Sequence, residues 1–252
     1  MLHAAETGAR ESGEVVTFLH GFALDGRMWA PQTTALTPPY RTLAIDLPGF
    51  GRSRYIEGHT PMVAEILTLL DVRGIGRVHI VGASLGAAVA VDVALMHPDR
   101  IRSLVLSDAI LLDFPAPIAS WNRCVELAKA GDVKSAIEQW LADPLFDRAR
   151  ARPTVWARIQ EMIGDYDGGH WTGMSKLRWG SREPRERLAE LRVPTLVLVG
   201  EHDTPGFQAM ADEYARIVPA ARLQRIAGAG HVSNLEEPEA FTQTLRDFFS
   251  TL

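Results

Sequence analysis

Short apolar runs that end at polar or glycine-containing turns recur along this chain and constrain its fold more than any other feature. Four runs in the first half lack polar alternation, which is typical of parallel strands covered on both faces. Two further strand candidates follow near the end, with helical patterns between strands. The sequence therefore predicts an α/β fold in which helices flank a sheet. The predicted strands are Val15–Leu19, Arg41–Asp46, Val78–Ala83, Ile101–Leu106, Thr195–Val199 and Arg222–Ile226, and the predicted helices are Gly26–Leu36, Met62–Leu70, Leu85–Met96, Gln208–Ile217 and Pro238–Phe249.

The stretch Ile110–Leu191 departs from this alternation. It contains several helical patterns, no strand-like run and no linker-type composition. We interpret it as a helical insertion between two strands, so that residues 1–109 and 192–252 form one core and residues 110–191 form the insertion. Its mixed-charge run Asp147–Arg152 predicts a solvent-exposed helix face in preference to an anion site. Five of the six tryptophans lie in the insertion, namely Trp121, Trp140, Trp156, Trp171 and Trp179.

Composition and charge exclude several classes of protein. The formal net charge of −5 indicates no broad basic surface, so a nucleic-acid partner is not expected. Cys124 is the only cysteine, which excludes an intramolecular disulfide and suits a reducing compartment. The segment Met1–Glu14 lacks the apolar run of a signal peptide, and no run of about 20 apolar residues occurs that could span a membrane. We expect a cytoplasmic protein with no membrane partner.

The segment Gly82–Gly86 has the pattern G-x-S-x-G between a predicted strand and a predicted helix. A sharp turn at such a junction strains the serine backbone and exposes the hydroxyl above the sheet. Glycines on either side let the two backbones approach, and the start of the helix offers free N–H groups. This setting predicts that Ser84 is a nucleophile.

A serine hydroxyl needs an adjacent base, and histidine titrates close to neutral pH. His231 is the candidate because it ends a glycine-rich turn directly after the last predicted strand, where ligands bind in open α/β sheets. A carboxylate must then orient the imidazole. Asp203, which follows the strand Thr195–Val199, is the predicted acid. Asp108 also follows a strand and is the alternative acid.

The tetrahedral intermediate of acyl transfer carries an oxyanion, which needs preorganised N–H donors. One expected donor is the backbone N–H of Leu85, the residue after the nucleophile. The other is expected from the loop after an early strand, where His20-Gly21-Phe22 makes the N–H of Phe22 the candidate. For Leu85 and Phe22 we expect the amides to matter more than the side chains.

Together these segments resemble the α/β-hydrolase superfamily. The order Ser84, Asp203, His231 is the one expected there. The resemblance implies a mostly parallel central sheet flanked by helices, with residues 110–191 as a helical cap inserted between strands six and seven, over the active site. The chain departs from the family at its start, where one edge strand near Leu2–Ala5 is expected. The matching segments are His20–Phe22, Asp46–Ser53, Gly82–Gly86, Gly200–Asp203 and Gly228–His231.

Within the superfamily, the chain looks most like small bacterial cap-bearing hydrolases, which include enol-lactone hydrolases, carboxylesterases and C–C bond hydrolases of ring-cleavage products. We predict a serine hydrolase that cleaves a small carboxylic ester or lactone through an acyl-enzyme, with no metal and no organic cofactor. Alternatives are C–C cleavage of a dienoic ketone by the same residues and a non-hydrolytic ligand-binding or cyclase protein. The aromatic insertion predicts a small-molecule substrate with an apolar or cyclic acyl part, contacted by Trp140, Trp171 and His170.

Overall fold

The structure, a computed structural model, describes residues 2–8, 13–54, 58–116, 118–178, 184–219 and 221–252. The strands within these ranges are β1 (Ala4–Thr7), β2 (Val15–Leu19), β3 (Arg41–Ile45), β4 (Gly58–Pro61), β5 (Val78–Ala83), β6 (Ile101–Ser107), β7 (Ser175–Arg178), β8 (Thr195–Gly200) and β9 (Arg222–Ile226). The α-helices are α1 (Ala30–Ala35), α2 (Met62–Val72), α3 (Leu85–Met96), α4 (Trp121–Lys129), α5 (Val133–Leu141), α6 (Asp147–Arg150), α7 (Pro153–Gly164), α8 (Gly169–Thr172), α9 (Pro184–Arg187), α10 (Pro205–Ile217), α11 (Ser233–Glu236) and α12 (Pro238–Phe249). Short 3₁₀ turns cover Gly26–Trp29, Pro98–Arg100, Pro144–Phe146 and Leu188–Glu190.

Seven strands form one sheet in the order β1-β3-β2-β5-β6-β8-β9. Strand β1 pairs with β3 in antiparallel fashion, and the other pairs in this sheet are parallel. The predicted α/β fold with a mostly parallel sheet is confirmed. Strand β1, Ala4–Thr7, is the edge strand expected near Leu2–Ala5.

Burial explains why the central segments are strands. Every residue of β2, β3, β5 and β8 is buried, as expected for parallel strands covered on both faces. Helix α3 is also buried around its circumference and packs on β2, β5 and β6. The carboxyl ends of the parallel strands share one edge of the sheet, which is where ligands bind in such folds.

The sequence predicts one helix over Gly26–Leu36, and the structure divides it into the 3₁₀ turn Gly26–Trp29 and α1. Asp25 caps the turn, because its Oδ1 accepts a hydrogen bond from the N–H of Arg27 at 2.9 Å. Pro31, in the first turn of α1, has no N–H to donate. Pro31 therefore cannot continue the hydrogen bonds of the 3₁₀ turn, and it fits the first turn of α1, where N–H groups have no partner within the helix.

Helices α4–α9 lie between β6 and β8, so the insertion begins after the sixth strand of the chain. The expectation that the insertion has no strand is wrong, because β7 lies inside it and pairs in parallel with β4. Strand β7 forms by pairing with a segment far away in the sequence, which a local apolar pattern does not reveal. Trp179, one of the tryptophans assigned to the insertion, lies outside the described residues.

Ion pairs join the insertion to one side of the core. Arg27, in the 3₁₀ turn after β2, lies 2.9 Å from Glu161 and 2.6 Å from Asp165, at the end of α7. The same guanidinium lies 2.7 Å from Asp25, so the turn and α7 share one cation.

In the part of the chain that the structure describes, no helix is long and apolar enough to cross a membrane.

Arginines of the insertion contact the other side of the core. Arg148 and Arg152 each donate a hydrogen bond of 3.1 Å to the carbonyl oxygen of Gly228, in the glycine-rich turn after β9. Both arginines are half-buried. The expected solvent-exposed face is therefore wrong for Arg148 and Arg152, which pack against the core, whereas Asp147 and Ala151 are exposed.

Candidate active site

Ser84 lies between the end of β5 and the start of α3. Its φ of 49° places a non-glycine residue in a region that L-amino acids rarely adopt. The neighbouring strand holds it there, because its N–H donates a 2.9 Å hydrogen bond to the carbonyl oxygen of Ser107 at the end of β6. Strain of this kind persists only where the surrounding structure enforces it, and it is common at active sites.

The glycines of the G-x-S-x-G motif allow α3 to approach the sheet. A Cβ on Gly82 would lie 2.4 Å from the carbonyl oxygen of Gly86, in the first turn of α3. A Cβ on Gly86 would lie 2.2 Å from the carbonyl oxygen of Leu19, at the end of β2. Both distances are far shorter than ordinary van der Waals contact. The N-terminus of α3 therefore sits directly against the loop that follows β2.

His231 and Asp203 form a buried pair. Nδ1 of His231 lies 2.9 Å from Oδ2 of Asp203, and Oδ1 of Asp203 accepts the N–H of Thr204 at 2.6 Å. With the proton on Nδ1, Nε2 of His231 is the basic nitrogen. Burial lowers the pKa of His231, but nearby carboxylates, with Asp203 first among them, raise it above that of an ordinary histidine.

Asp108, the alternative acid, has other partners and, among the described residues, no hydrogen bond to His231. Burial, followed by the charge of Asp203, raises the pKa of Asp108 to about 7. The geometry places Asp203 against the imidazole and places Asp108 between the segments that carry Asp203 and His231. The Asp108 carboxylate accepts hydrogen bonds from Gly200 N–H at 2.8 Å, Ser107 Oγ at 2.7 Å and Ser233 Oγ at 2.5 Å.

The peptide groups that carry the amides of Leu85 and Phe22 both lie close to Ser84. Leu85 is the first residue of α3, so its N–H has no partner within the helix. The Gly21-Phe22 peptide approaches from the loop after β2, where a Cβ on Gly21 would lie 3.6 Å from Cβ of Ser84. Two backbone donors next to a serine hydroxyl are the arrangement that an oxyanion hole requires.

His20 fixes the orientation of the Gly21-Phe22 peptide. Its Nε2 accepts the N–H of Leu47 at 2.8 Å, so the proton is on Nδ1, which lies 2.7 Å from the carbonyl oxygen of Gly21 and donates to it. The ring is fully buried, and burial lowers the pKa of His20. A neutral His20 therefore holds the carbonyl on one side of the peptide and the Phe22 N–H on the other.

The side chain of Phe22 is the centre of an aromatic cluster, a role that sequence reasoning missed. Most of these contacts are edge-to-face, a geometry worth about 0.5–1.5 kcal/mol per pair. The insertion thereby holds the loop that carries the Phe22 amide. The ring centroids nearest to Phe22 in the insertion belong to Trp121 at 4.9 Å, Trp140 at 5.4 Å, Tyr166 and Trp171 at 5.6 Å, and His170 at 6.0 Å.

A cavity of about 410 Å³ is lined by Ser84 and His231. The described residues show no hydrogen bond between these two side chains, and catalytic hydrogen bonds often tighten only around bound substrate. Asp113, which is exposed, adds a carboxylate, and no described lysine or arginine lines the cavity. The apolar wall includes Leu24, Met28, Met210 and Val232 from the core and Leu111, Phe114, Ile118, Trp121, Trp140 and Phe146 from the insertion.

The family of the chain follows from comparison with known proteins. Residues 14–238 match the family model of the alpha/beta hydrolase fold. The chain belongs to the α/β-hydrolase family. It is 26% identical to 3-oxoadipate enol-lactonase 1 of Acinetobacter baylyi, over 96% of this chain and 91% of that relative. Carboxylesterase YbfK of Bacillus subtilis is 26% identical, over 98% of this chain and 83% of the relative.

A solved structure agrees with this assignment. The thermophilic esterase from Thermogutta terrifontis, with malate bound, matches this α/β hydrolase with a TM-score of 0.85 and 28% identity. The match covers 99% of this chain and 93% of the esterase. The names of these three relatives are those of hydrolytic enzymes, and the prediction that this chain is a hydrolytic enzyme is confirmed.

Of the three aromatic residues that the sequence predicted to contact substrate, the structure of this α/β hydrolase places one on the cavity wall. Trp140 lines the cavity, whereas Trp171 and His170 lie outside it. Trp171 is buried against Phe22, and His170 stacks on Phe50 with 4.3 Å between ring centroids. Burial lowers the pKa of His170 to about 4. The other predicted site residues converge, with Ser84, His231, Leu85 and Phe22 on the cavity wall and Asp203 behind His231.

Proposed function

We propose that this α/β hydrolase is a serine hydrolase that cleaves a small carboxylic ester or lactone with a neutral, apolar acyl part. The observation that carries the proposal is the buried His231–Asp203 pair, at 2.9 Å, whose histidine lines an apolar cavity that Ser84 also lines. Relatives that are named as a carboxylesterase and an enol-lactonase support an ester or lactone bond as the target.

In the first half of the proposed reaction, Oγ of Ser84 attacks the substrate carbonyl while Nε2 of His231 takes the hydroxyl proton. Asp203 accepts a hydrogen bond from the Nδ1–H group of His231, which keeps the proton on Nδ1 and stabilises the imidazolium. The N–H groups of Leu85 and Phe22 donate to the oxyanion. Collapse of the tetrahedral intermediate expels the alcohol, which receives its proton from His231, and leaves Ser84 acylated.

In the second half, water gives a proton to His231 and attacks the acyl-enzyme. The same amides stabilise the second oxyanion, and the acid leaves as Ser84 regains its proton. Each step uses side chains and amides of this chain together with water. The raised pKa of His231 suits this role, because the imidazolium must be stabilised between the two proton transfers.

The charges on the cavity wall favour a neutral acyl group. Asp113 repels anions, and no described lysine or arginine lines the cavity to pair with a substrate carboxylate. The alternative reaction, C–C cleavage of a dienoic ketone, brings a carboxylate into the site and is therefore less well supported. We further propose residues 110–191 as a cap, because Trp121, Trp140 and Phe146 form one side of the cavity.

The test is hydrolysis of p-nitrophenyl acetate, butyrate, octanoate and hemisuccinate by the wild type and by Ser84→Ala. We expect the butyrate to turn over faster than the hemisuccinate, and Ser84→Ala to lose about 10⁴–10⁶-fold in kcat with its fold intact by circular dichroism. Unchanged turnover in Ser84→Ala would remove the serine mechanism. A preference for the hemisuccinate would overturn the neutral acyl group and favour the alternative with an anionic substrate.

A further inference from the structure

Glu236 holds the backbone on both sides of His231. Its side chain is fully buried. Oε2 accepts the N–H of Gly230 at 2.6 Å, and Oε1 accepts the N–H of Val232 at 3.3 Å. Hydrogen bonds to a charged acceptor are stronger than neutral ones. The Glu236 carboxylate therefore fixes the peptide groups that precede and follow the imidazole.

Arg152 of the insertion lies against this carboxylate. Its Nη1 is 3.6 Å from Oε2 of Glu236, and its Nη2 donates to Glu237 and, at 3.1 Å, to the carbonyl oxygen of Gly228. Arg148 donates to the same carbonyl oxygen at 3.1 Å. A fully buried carboxylate needs a partner charge, since an isolated one is costly. The insertion supplies that charge.

The insertion also packs directly on the turn that carries His231. A Cβ on Gly230 would lie 2.8 Å from Cβ of Arg148 and 3.2 Å from Oε2 of Glu236. Any movement of the segment Arg148–Arg152 relative to the core must therefore alter the contacts of residues 228–230. Neither Arg152 nor Glu236 is among the residues that line the cavity.

We propose that Arg152 is a positioning residue, which acts through Glu236 to hold the His231 turn in the geometry that the base requires. The inference rests on the proposed function, in which His231 takes the proton of Ser84. Since misplacement of a reacting group by about 1 Å can cost about 10²-fold in rate, a contact from outside the cavity is able to control kcat. It leaves KM unchanged, because Arg152 and Glu236 do not touch substrate.

Substitutions of Arg152 and of Glu236 test the two ends of this connection. Arg152→Gln is expected to lower kcat about tenfold or more with KM unchanged, and Arg152→Lys, which keeps the charge, is expected to restore part of the loss. Glu236→Gln keeps the size of the side chain but presents an N–H₂ group to one of the two backbone donors, so kcat falls as well. The matched control is Arg150→Gln, because Arg150 bonds Leu141, Asp143 and Asp147 within the insertion.

Glu236→Gln has a second, electrostatic effect. The carboxylates that face His231 are Asp203 from the turn after β8, Asp108 from the end of β6 and Glu236 from α11, and each raises the pKa of the imidazole. Arg148 and Arg152 face the same turn from the insertion. Removal of the Glu236 charge destabilises the imidazolium. The acidic limb of kcat/KM against pH therefore moves to lower pH in Glu236→Gln.

A double-mutant cycle decides whether Arg152 acts through Glu236. If it does, the Arg152→Gln, Glu236→Gln double variant loses no more kcat than the worse single variant, whereas independent effects of the two substitutions would multiply. Multiplying losses for this pair, or a kcat for Arg152→Gln equal to that of Arg150→Gln, would overturn the proposal. Ser84→Ala is assayed alongside, because activity retained in that variant would mean that the proposed function itself is wrong. Loss of activity in Ser84→Ala would confine the failure to the role of Arg152. An NMR titration of the His231 imidazole in Ser84→Ala, with and without Glu236→Gln, tests the electrostatic part without turnover.

Discussion

Substitution of Gly86 by alanine tests how closely α3 must approach the loop after β2. Alanine normally stabilises a helix by about 1 kcal/mol relative to glycine. At this position its Cβ would lie 2.2 Å from the carbonyl oxygen and 2.5 Å from the carbonyl carbon of Leu19, both backbone atoms. Carbon atoms prefer separations of about 3.5–4.0 Å, so the start of α3 must retreat by about 1 Å.

That retreat separates the two candidate oxyanion donors, because the Leu85 amide moves with α3 while the Phe22 amide stays with the loop. A 1 Å displacement predicts a loss of about 10²-fold in kcat. Overpacking of this kind costs about 1–3 kcal/mol, which for a chain of this size lowers Tm by about 2–12 °C. The assays are p-nitrophenyl butyrate hydrolysis and thermal unfolding followed by circular dichroism.

Gly164→Ala is the matched control. Gly164 is the last residue of α7, and nothing lies within 4 Å of its Cβ position. This variant should keep wild-type kcat and gain up to about 1 kcal/mol of stability. If Gly86→Ala instead behaves like Gly164→Ala, with full activity and a raised Tm, the argument from close packing is refuted.

Two further predictions concern the acid and the cavity. Because the charge of Asp108 contributes to the raised pKa of His231, Asp108→Asn should move the acidic limb of kcat/KM to lower pH. Its kcat should fall far less than the roughly 10⁴-fold expected for Asp203→Asn. A larger loss in Asp108→Asn, measured in pH-rate profiles of both variants, would contradict this prediction. Trp140→Ala should enlarge the cavity and raise the ratio of octanoate to acetate turnover. The substitution should lower the unfolding free energy by about 3–5 kcal/mol. An unchanged ratio would mean that Trp140 does not limit acyl length.

Local patterns predicted the large sheet well, because its strands β2, β3, β5 and β8 are buried along their whole length. Strand β5 has the predicted bounds, and β3 ends one residue before the predicted Asp46. A fully buried parallel strand is mostly apolar, so its limits are visible in the sequence. The G-x-S-x-G motif likewise located Ser84 at the strand–helix turn, where the structure gives it a positive φ.

Contacts between distant segments could not be predicted in the same way. Strand β7 depends on β4, and the role of the Phe22 ring depends on aromatic residues of the insertion. The run Asp147–Arg152 has the composition of an exposed helix, and only the fold shows that Arg148 and Arg152 face the turn after β9. The choice between Trp140 and Trp171 as a cavity residue also depends on how the helices of the insertion pack, which composition does not specify.

The uneven placement of tryptophan gives this enzyme a built-in optical reporter. Trp29, packed in the core with its ring 5.0 Å from Phe18, is the one indole outside residues 110–191 in the sequence. Trp121 and Trp140 line the cavity. Two of the six emitters therefore lie beside the cavity, and entry of an apolar ligand changes their surroundings. Ligand binding to the Ser84→Ala variant can be followed by emission alone, without a dye or turnover.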